Sequence, residues 1–147
     1  MKQQPDHEKF MTAAIQEAEY ARSKDEVPIG AVVVYNGSVI ARAYNMVETL
    51  NDPTAHAEMQ AITMATNYIG GKYLEECTLY VTVEPCPMCA SALYLTHIGR
   101  VVYGAKDPKR GYSMFEPSLL HPKTEIIGGI LEDKCSELIT DFFRAKR

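Results

Sequence analysis

The 147-residue chain carries 46% hydrophobic and 23% charged residues, an ordinary globular balance with enough length to bury a real core. No apolar run approaches the roughly 20 residues of a membrane-crossing helix, and the polar start MKQQPDHEKF does not read as a secretory signal. The net charge of −4 excludes a surface that is basic overall, yet leaves room for a local basic patch of the kind that binds nucleic acid.

A cytoplasmic setting is therefore expected. Thiols stay reduced there, so four cysteines point to metal or catalysis before disulfides. No repeat, low-complexity tract or linker divides the chain, and residues 1–147 read as a single domain. From His7 to Lys24, Phe10, Ala14, Ala18 and Ala21 recur at helical spacing. IGAVVVYNGSVIARAYN then reads as a β-hairpin, its β-branched runs flanking Asn36-Gly37, a strong type I′ turn signal. NDPTAHAEMQAITMATNYIGG predicts a loop entering a helix, with Pro53 near the start and Gly70-Gly71 at the end. CTLYVTVE is predicted as a strand, Pro87 to His97 as a helix and RVVYGA as a further strand. The stretch KDPKRGYSMFEPSLLHPK reads as a loop, EIIGGI as a last strand, and Glu132 to Arg147 as a last helix. That helix carries an apolar stripe of Leu131, Cys135, Leu138 and Phe142. An opening hairpin followed by alternating strands and helices predicts a mixed sheet with helices on both faces. The connection from Ala105 to Glu125 is long enough for a crossover, which would make the last strand parallel.

The chemistry concentrates between residues 56 and 89. Cys86 and Cys89, i and i+3 at the start of a helix, share one face of its first turn, so both sulfurs can reach one ion. A helix N-terminus also favours the thiolate, the form that binds metal. The third ligand suggested is His56, at the start of the other central helix, because sites in open α/β sheets form where strands end and helices begin. Two Cys and one His leave the fourth zinc position open, as a catalytic site requires. Glu58 lies two residues after His56, about 200° round an ideal helix. It need not share the metal, and it can carry protons beside an activated water. A thioredoxin-like redox pair is the competing reading of a cysteine pair. Cys77 is a poor fourth ligand, roughly 25 Å from Cys86 if the strand is extended. Cys77 and Cys135 read as buried small hydrophobes, and His7, His97 and His121 as surface or satisfied histidines.

DPTAHAE and EPCPMC together match the H-x-E…P-C-x-x-C pattern of the zinc-dependent nucleoside and nucleobase deaminases. VPIGAVVV, TLYVTVEPCPMC, IGRVVYGAKDPKRG and the terminal FFR extend the resemblance over nearly the whole chain, towards the bacterial tRNA adenosine deaminases. It implies a cytidine-deaminase-like three-layer α/β/α sandwich with a five-stranded mixed sheet, and a homodimer. It implies one zinc per subunit on His56, Cys86 and Cys89, with Glu58 as proton shuttle. Water would attack C6 of a flipped-out adenine and ammonia would leave. Asn45 and Asp107 match family residues beside the base and nucleotide, and Ile29, Ala57 and Val83 are carried as further substrate contacts. The partner implied is the tRNA anticodon loop with adenosine at the wobble position. After GAKDPKRG the sequence departs from that pattern. YSMFEPSLLHPKTEI is shorter and lacks the usual Gly-Ser-Leu stretch, short helix and Asn-His pair. A free purine or pyrimidine, guanine first and cytosine or cytidine second, is the alternative substrate. A zinc-stabilised RNA-binding module without activity is the non-enzymatic one.

Lys106, Lys109 and Arg110 follow the fourth strand on the side expected for the site, and Phe143, Arg144, Lys146 and Arg147 end the last helix. Together they can form a phosphate-binding rim with an aromatic for stacking. The plainer reading is a basic helix end favouring its dipole, with Phe143 paired to Ile139 on a second buried row.

Overall fold

Neighbouring residues of the central strands feed opposite faces of one sheet, as the two-residue strand period requires. The structure, a computed structural model, describes residues 5–146. Its five strands are β1 (Gly30–Tyr35), β2 (Ser38–Tyr44), β3 (Cys77–Val83), β4 (Arg100–Ala105) and β5 (Glu125–Ile127). They lie in the order β2-β1-β3-β4-β5. β1 runs antiparallel to both β2 and β3, whereas β4 is parallel to β3 and β5 to β4. On one face Ala31, Val33, Leu79, Val81, Val101 and Tyr103 pack against α3 (Ala57–Ile69) and α4 (Pro87–Thr96). On the other, Val32, Val34, Tyr80 and Val102 meet α1 (His7–Ser23) and α5 (Glu132–Ala145). This is the three-layer sandwich that the sequence implied.

The hairpin turn is as expected, with Asn36 at φ 50° and Gly37 at φ 76°, both left-handed as a type I′ turn demands. Ile40 is an extra residue in β2, since Val33 pairs with Ala41 and Val34 with Val39. A β-carbon on Gly30 would run into the backbone of Ala14 and Ala18, so α1 can cross β1 closely only over a glycine. Cys77 and Cys135 are buried core thiols. His7 bonds the Tyr80 hydroxyl at 2.7 Å, and His97 stacks on Tyr73 with ring centres 4.6 Å apart.

Four details differ from the sequence reading. A short helix α2 (Val47–Leu50) follows β2 where only loop was expected. β5 stops at Ile127, because Gly128 lies flat against the Tyr103 ring and Gly129 turns the chain at φ 87°. The loop after β4 does contain one 3-10 turn, Tyr112–Met114, anchored by the buried Tyr112 side chain. Phe143 forms no buried row with Ile139 and is 46% exposed, while Cys135 and Phe142 of the apolar stripe are buried. Among the described residues, no helix is long and apolar enough to cross a membrane. Arg147 lies outside them.

The pairing directions gather the functional ends. The end of β2, the start of β1 and the ends of β3 and β4 all meet at one edge of the sheet. α3 and α4 begin there.

Candidate active site

His56 is the residue that precedes the first turn of α3, and Cys86 holds the same place in α4. Pro87 opens α4, where its missing N–H costs nothing and its fixed φ suits a helix start. Cys89, one turn on, is wholly buried beneath Cys86. The α3 start is tied to the end of β2 by Gln60, whose Nε2 donates to the Tyr44 carbonyl at 2.8 Å, and by the Met46 N–H, which donates to Ala55 at 3.0 Å. Two helix N-termini thus point at one spot.

His56 Nδ1 lies 3.6 Å from the sulfur of Cys86 and 3.6 Å from that of Cys89. The three donor atoms fall within 4.8 Å of one another. A tetrahedral zinc with ordinary bond lengths separates its nitrogen and sulfur ligands by about 3.6 Å. The residues therefore fit one zinc ion, with one coordination position left for solvent or substrate. Electrostatics suit a metal as well. The hydrogen bond from Cys89 holds the Cys86 thiol down to about 4 against the effect of burial, with His56 assisting. The same bond and burial push Cys89 up, and the contact with Cys86 raises His56.

Glu58 is buried in the first turn of α3 and makes no ion pair among the described residues. Burial pushes its carboxyl up to about 7, with the charges of His56 and Cys86 acting on it in opposite senses. A carboxyl poised near neutrality can both take and give a proton.

His56, Glu58 and Cys86 form the floor of a cavity of about 660 Å³, with Cys89 buried behind it. Ile29, Ala57 and Val83 supply apolar wall, and Asn45 and Asp107 line it too. Asn45 donates weakly from Nδ2 to the Val27 carbonyl at 3.5 Å, while its buried Oδ1 has no partner among the described residues. Asp107 uses Oδ1 to accept from the backbone of Lys109 and Arg110, at 3.3 and 3.0 Å, and so shapes the turn that carries them. Lys106, Lys109, Arg110 and Phe143 stand round the mouth. Arg144 does not join them. It faces outward from α5 beside Asp141, 3.7 Å away, next to a separate shallow depression. Lys146 pairs with Asp25 at 2.6 Å instead of turning to the cavity.

Sequence reasoning missed Glu26, Val47, Glu48, Glu84, Ser136 and Thr140, which also line the cavity. Glu26 is fully buried and accepts from the backbone of Glu48 (3.0 Å) and Thr49 (2.6 Å) and from the Thr49 hydroxyl (2.6 Å), so it fastens α2 to the rim. Nothing in KDEVPIG marks that acid as buried. Glu84 did carry a signal, as the lone acid ending the apolar run TLYVTV. Among the described residues none between Gly111 and Ile130 lines the cavity, so the shortened loop folds away from the mouth.

Residues 4–105 match the model of the cytidine and deoxycytidylate deaminase zinc-binding region. The chain is 46% identical over 145 residues to the tRNA-specific adenosine deaminase of Bacillus subtilis (strain 168), covering 95% of this chain and 90% of that protein. It is 48% identical over 147 residues to the tRNA-specific adenosine deaminase of Aquifex aeolicus (strain VF5), covering 95% of each. A solved structure from studies of A-to-I editing by tRNA:A34 deaminases at the wobble position of transfer RNA superposes with a TM-score of 0.82. It is 43% identical and covers 88% of this chain and 98% of that one. Guanine deaminase from Bacillus subtilis superposes with a TM-score of 0.66 at 42% identity, over 69% of this chain and 65% of that one.

Proposed function

The chain belongs to the cytidine and deoxycytidylate deaminase zinc-binding family and is a hydrolytic deaminase, and from that premise we propose that it converts adenosine to inosine at the wobble position of tRNA anticodons. The observation that carries this reading is a zinc-shaped His56–Cys86–Cys89 group beside a buried carboxyl, at the base of a cavity whose mouth is cationic. We read residues 1–147 as one domain, working in the cytoplasm as a homodimer. Exposed Met64, Tyr68, Tyr94 and Leu95 on α3 and α4 support self-association.

Zinc held by His56, Cys86 and Cys89 would supply the nucleophile, by lowering the pKa of water towards neutrality. The chain's own residues do the rest. Glu58 takes the water's proton on its carboxylate and delivers it to the departing amino group, so that water and adenosine become inosine and ammonia. Asn45 Oδ1, buried without a partner, accepts an N–H of the base, since leaving that oxygen unpaired costs about 1–3 kcal/mol. Ile29, Ala57 and Val83 offer the planar base an apolar berth. Asp107 holds the loop whose Lys106, Lys109 and Arg110 meet the phosphates, and Phe143 offers an aromatic face to a neighbouring base.

An open mouth supports RNA over a free base, because a small-ligand enzyme buries most of its substrate. The likeness to guanine deaminase favours guanine as the second reading. Zinc-loaded protein should be offered an anticodon stem-loop with wobble adenosine, alongside guanine, adenine, cytosine and their nucleosides, and the products weighed by mass spectrometry. Inosine at the wobble position with the small substrates untouched is expected. Turnover of guanine with the RNA untouched would replace the reading.

A further inference from the structure

A third buried carboxyl group, besides Glu58 and Glu26, stands between the metal ligands and the cationic mouth. Glu84 follows the last residue of β3 and is only 4% exposed. Its Oε1 accepts from the Asp107 N–H at 3.1 Å, and its Oε2 accepts from the Ser113 N–H at 3.0 Å and the Ser113 hydroxyl at 2.6 Å. The chain from Asp107 to Ser113 is wrapped round this one group. Gly111 permits the wrap, since a β-carbon there would collide with the Glu84 carboxylate. The Tyr112 N–H donates to the Pro85 carbonyl at 2.9 Å, and the Glu84 N–H to the Ala105 carbonyl at 2.8 Å, which locks the same segment to the cysteine turn.

Three donors converge on a group that has no hydrogen of its own to offer, and hydrogen bonds to a buried charge are the strong kind. Glutamine would not serve. Its amide would turn two hydrogens towards an N–H that needs an acceptor. Lys109 and Arg110 ride on the segment so held, Lys106 immediately precedes it, and Cys86 follows Glu84 by two residues. One carboxylate therefore sets the register between the cations and the metal floor.

We propose that Glu84 is a positioning residue that fixes the Asp107–Ser113 loop at the rim of the cavity and thereby sets productive binding of a polyanionic RNA substrate, leaving the chemical step to the floor. This deepens the RNA reading and rests on it.

The test compares Glu84→Gln, Ser113→Ala and Gly111→Ala with the unaltered zinc-loaded protein, by amide hydrogen exchange, zinc content and kinetics on the anticodon stem-loop. In Glu84→Gln the Asp107 and Ser113 amides should exchange on the order of tenfold faster. KM for the stem-loop should rise about tenfold with kcat within about twofold and zinc at one per chain. Ser113→Ala, which removes one of the three bonds, should raise KM about threefold. Gly111→Ala, which keeps Glu84 but forces the loop off it, should reproduce the Glu84→Gln pattern. Unchanged exchange and KM in Glu84→Gln would overturn the proposal. So would loss of zinc or of kcat with KM unchanged, since Glu84 would then support the cysteine turn. If the unaltered protein leaves the RNA untouched, the substrate reading fails and the binding half of the proposal with it, while amide exchange still decides whether Glu84 anchors the loop.

Discussion

The floor of the cavity and the thiol behind it draw His56, Glu58, Cys86 and Cys89 from the starts of two helices docked on the sheet, whereas the mouth draws its cations from an irregular loop gathered on a buried carboxyl group. The floor's geometry comes from regular elements, whose backbone hydrogen bonds and apolar packing hold Cys89 and Ala57 with no exposed surface. The mouth has little such packing, since Lys109 and Arg110 are exposed and their backbone is bonded to the Asp107 side chain. What this teaches is a division of labour. On the proposed function, the rigid elements would carry the chemistry, which tolerates little displacement, and the stapled loop would carry the substrate preference.

The sharpest way to break the comparison is at the floor. Cys89→Ala should abolish zinc binding and reduce deamination to background, read by metal analysis and product mass. A variant that kept its zinc and its activity would remove the premise that these three residues form the metal site. Glu58→Ala comes next. It should keep zinc and fold while kcat falls by about 10²–10⁴-fold. Zinc loss in that variant would make Glu58 a ligand, and full activity would end its role as proton carrier.

At the mouth the effect should be smaller and of another kind. Lys109→Ala with Arg110→Ala should weaken stem-loop binding roughly tenfold and flatten the salt dependence of binding by about two units, with kcat at saturation little changed. An unaltered salt slope would place the RNA elsewhere.

The smallest effect is expected on the opposite rim, where Glu26 holds α2. Burial alone would raise the Glu26 carboxyl, but the bonds from the Thr49 side chain and from the Glu48 and Thr49 backbone outweigh it and hold it below the ordinary value of 4.5. The ionised form thus favours the folded protein. Its contribution is complete above that ordinary value and is lost as pH falls through the lower folded one. Glu26→Gln should cost about 1–3 kcal/mol at pH 7, and the gap from the unaltered protein should close as the pH is taken down through that range. Urea melts across the pH series would measure it. A gap independent of pH would mean that the ionised carboxylate is not what holds α2.

Much of the floor was legible in the amino-acid sequence, because its signals are local. A cysteine, three residues later another, and a proline between them define a helix start in one short stretch. His-x-Glu does the same for α3, with the metal-facing and buried positions set by helical geometry. The mouth was legible only as charge. Lys106, Lys109 and Arg110 read as a basic loop, yet whether that loop covers the cavity depends on where Tyr112 and Leu120 find burial, which is a long-range matter. The direction of Phe143 was open for the same reason. An apolar residue off the main stripe of α5 can turn to a core or to a cavity, and only the neighbouring elements decide.

By itself, then, the chain's sequence determined the order of its strands and four longer helices, the hairpin turn at Asn36-Gly37, the two helix starts and the chemistry they present, since each rests on spacing over a few residues. Tertiary structure alone decided the 3.6 Å convergence of His56 with both cysteines, the turning away of Arg144, and the burial of Glu26 and Glu84 as staples. The reason is physical. A carboxylate's hydrogen-bond partners lie up to 29 residues away in sequence, and only packing of the sheet and its loops brings those donors to it.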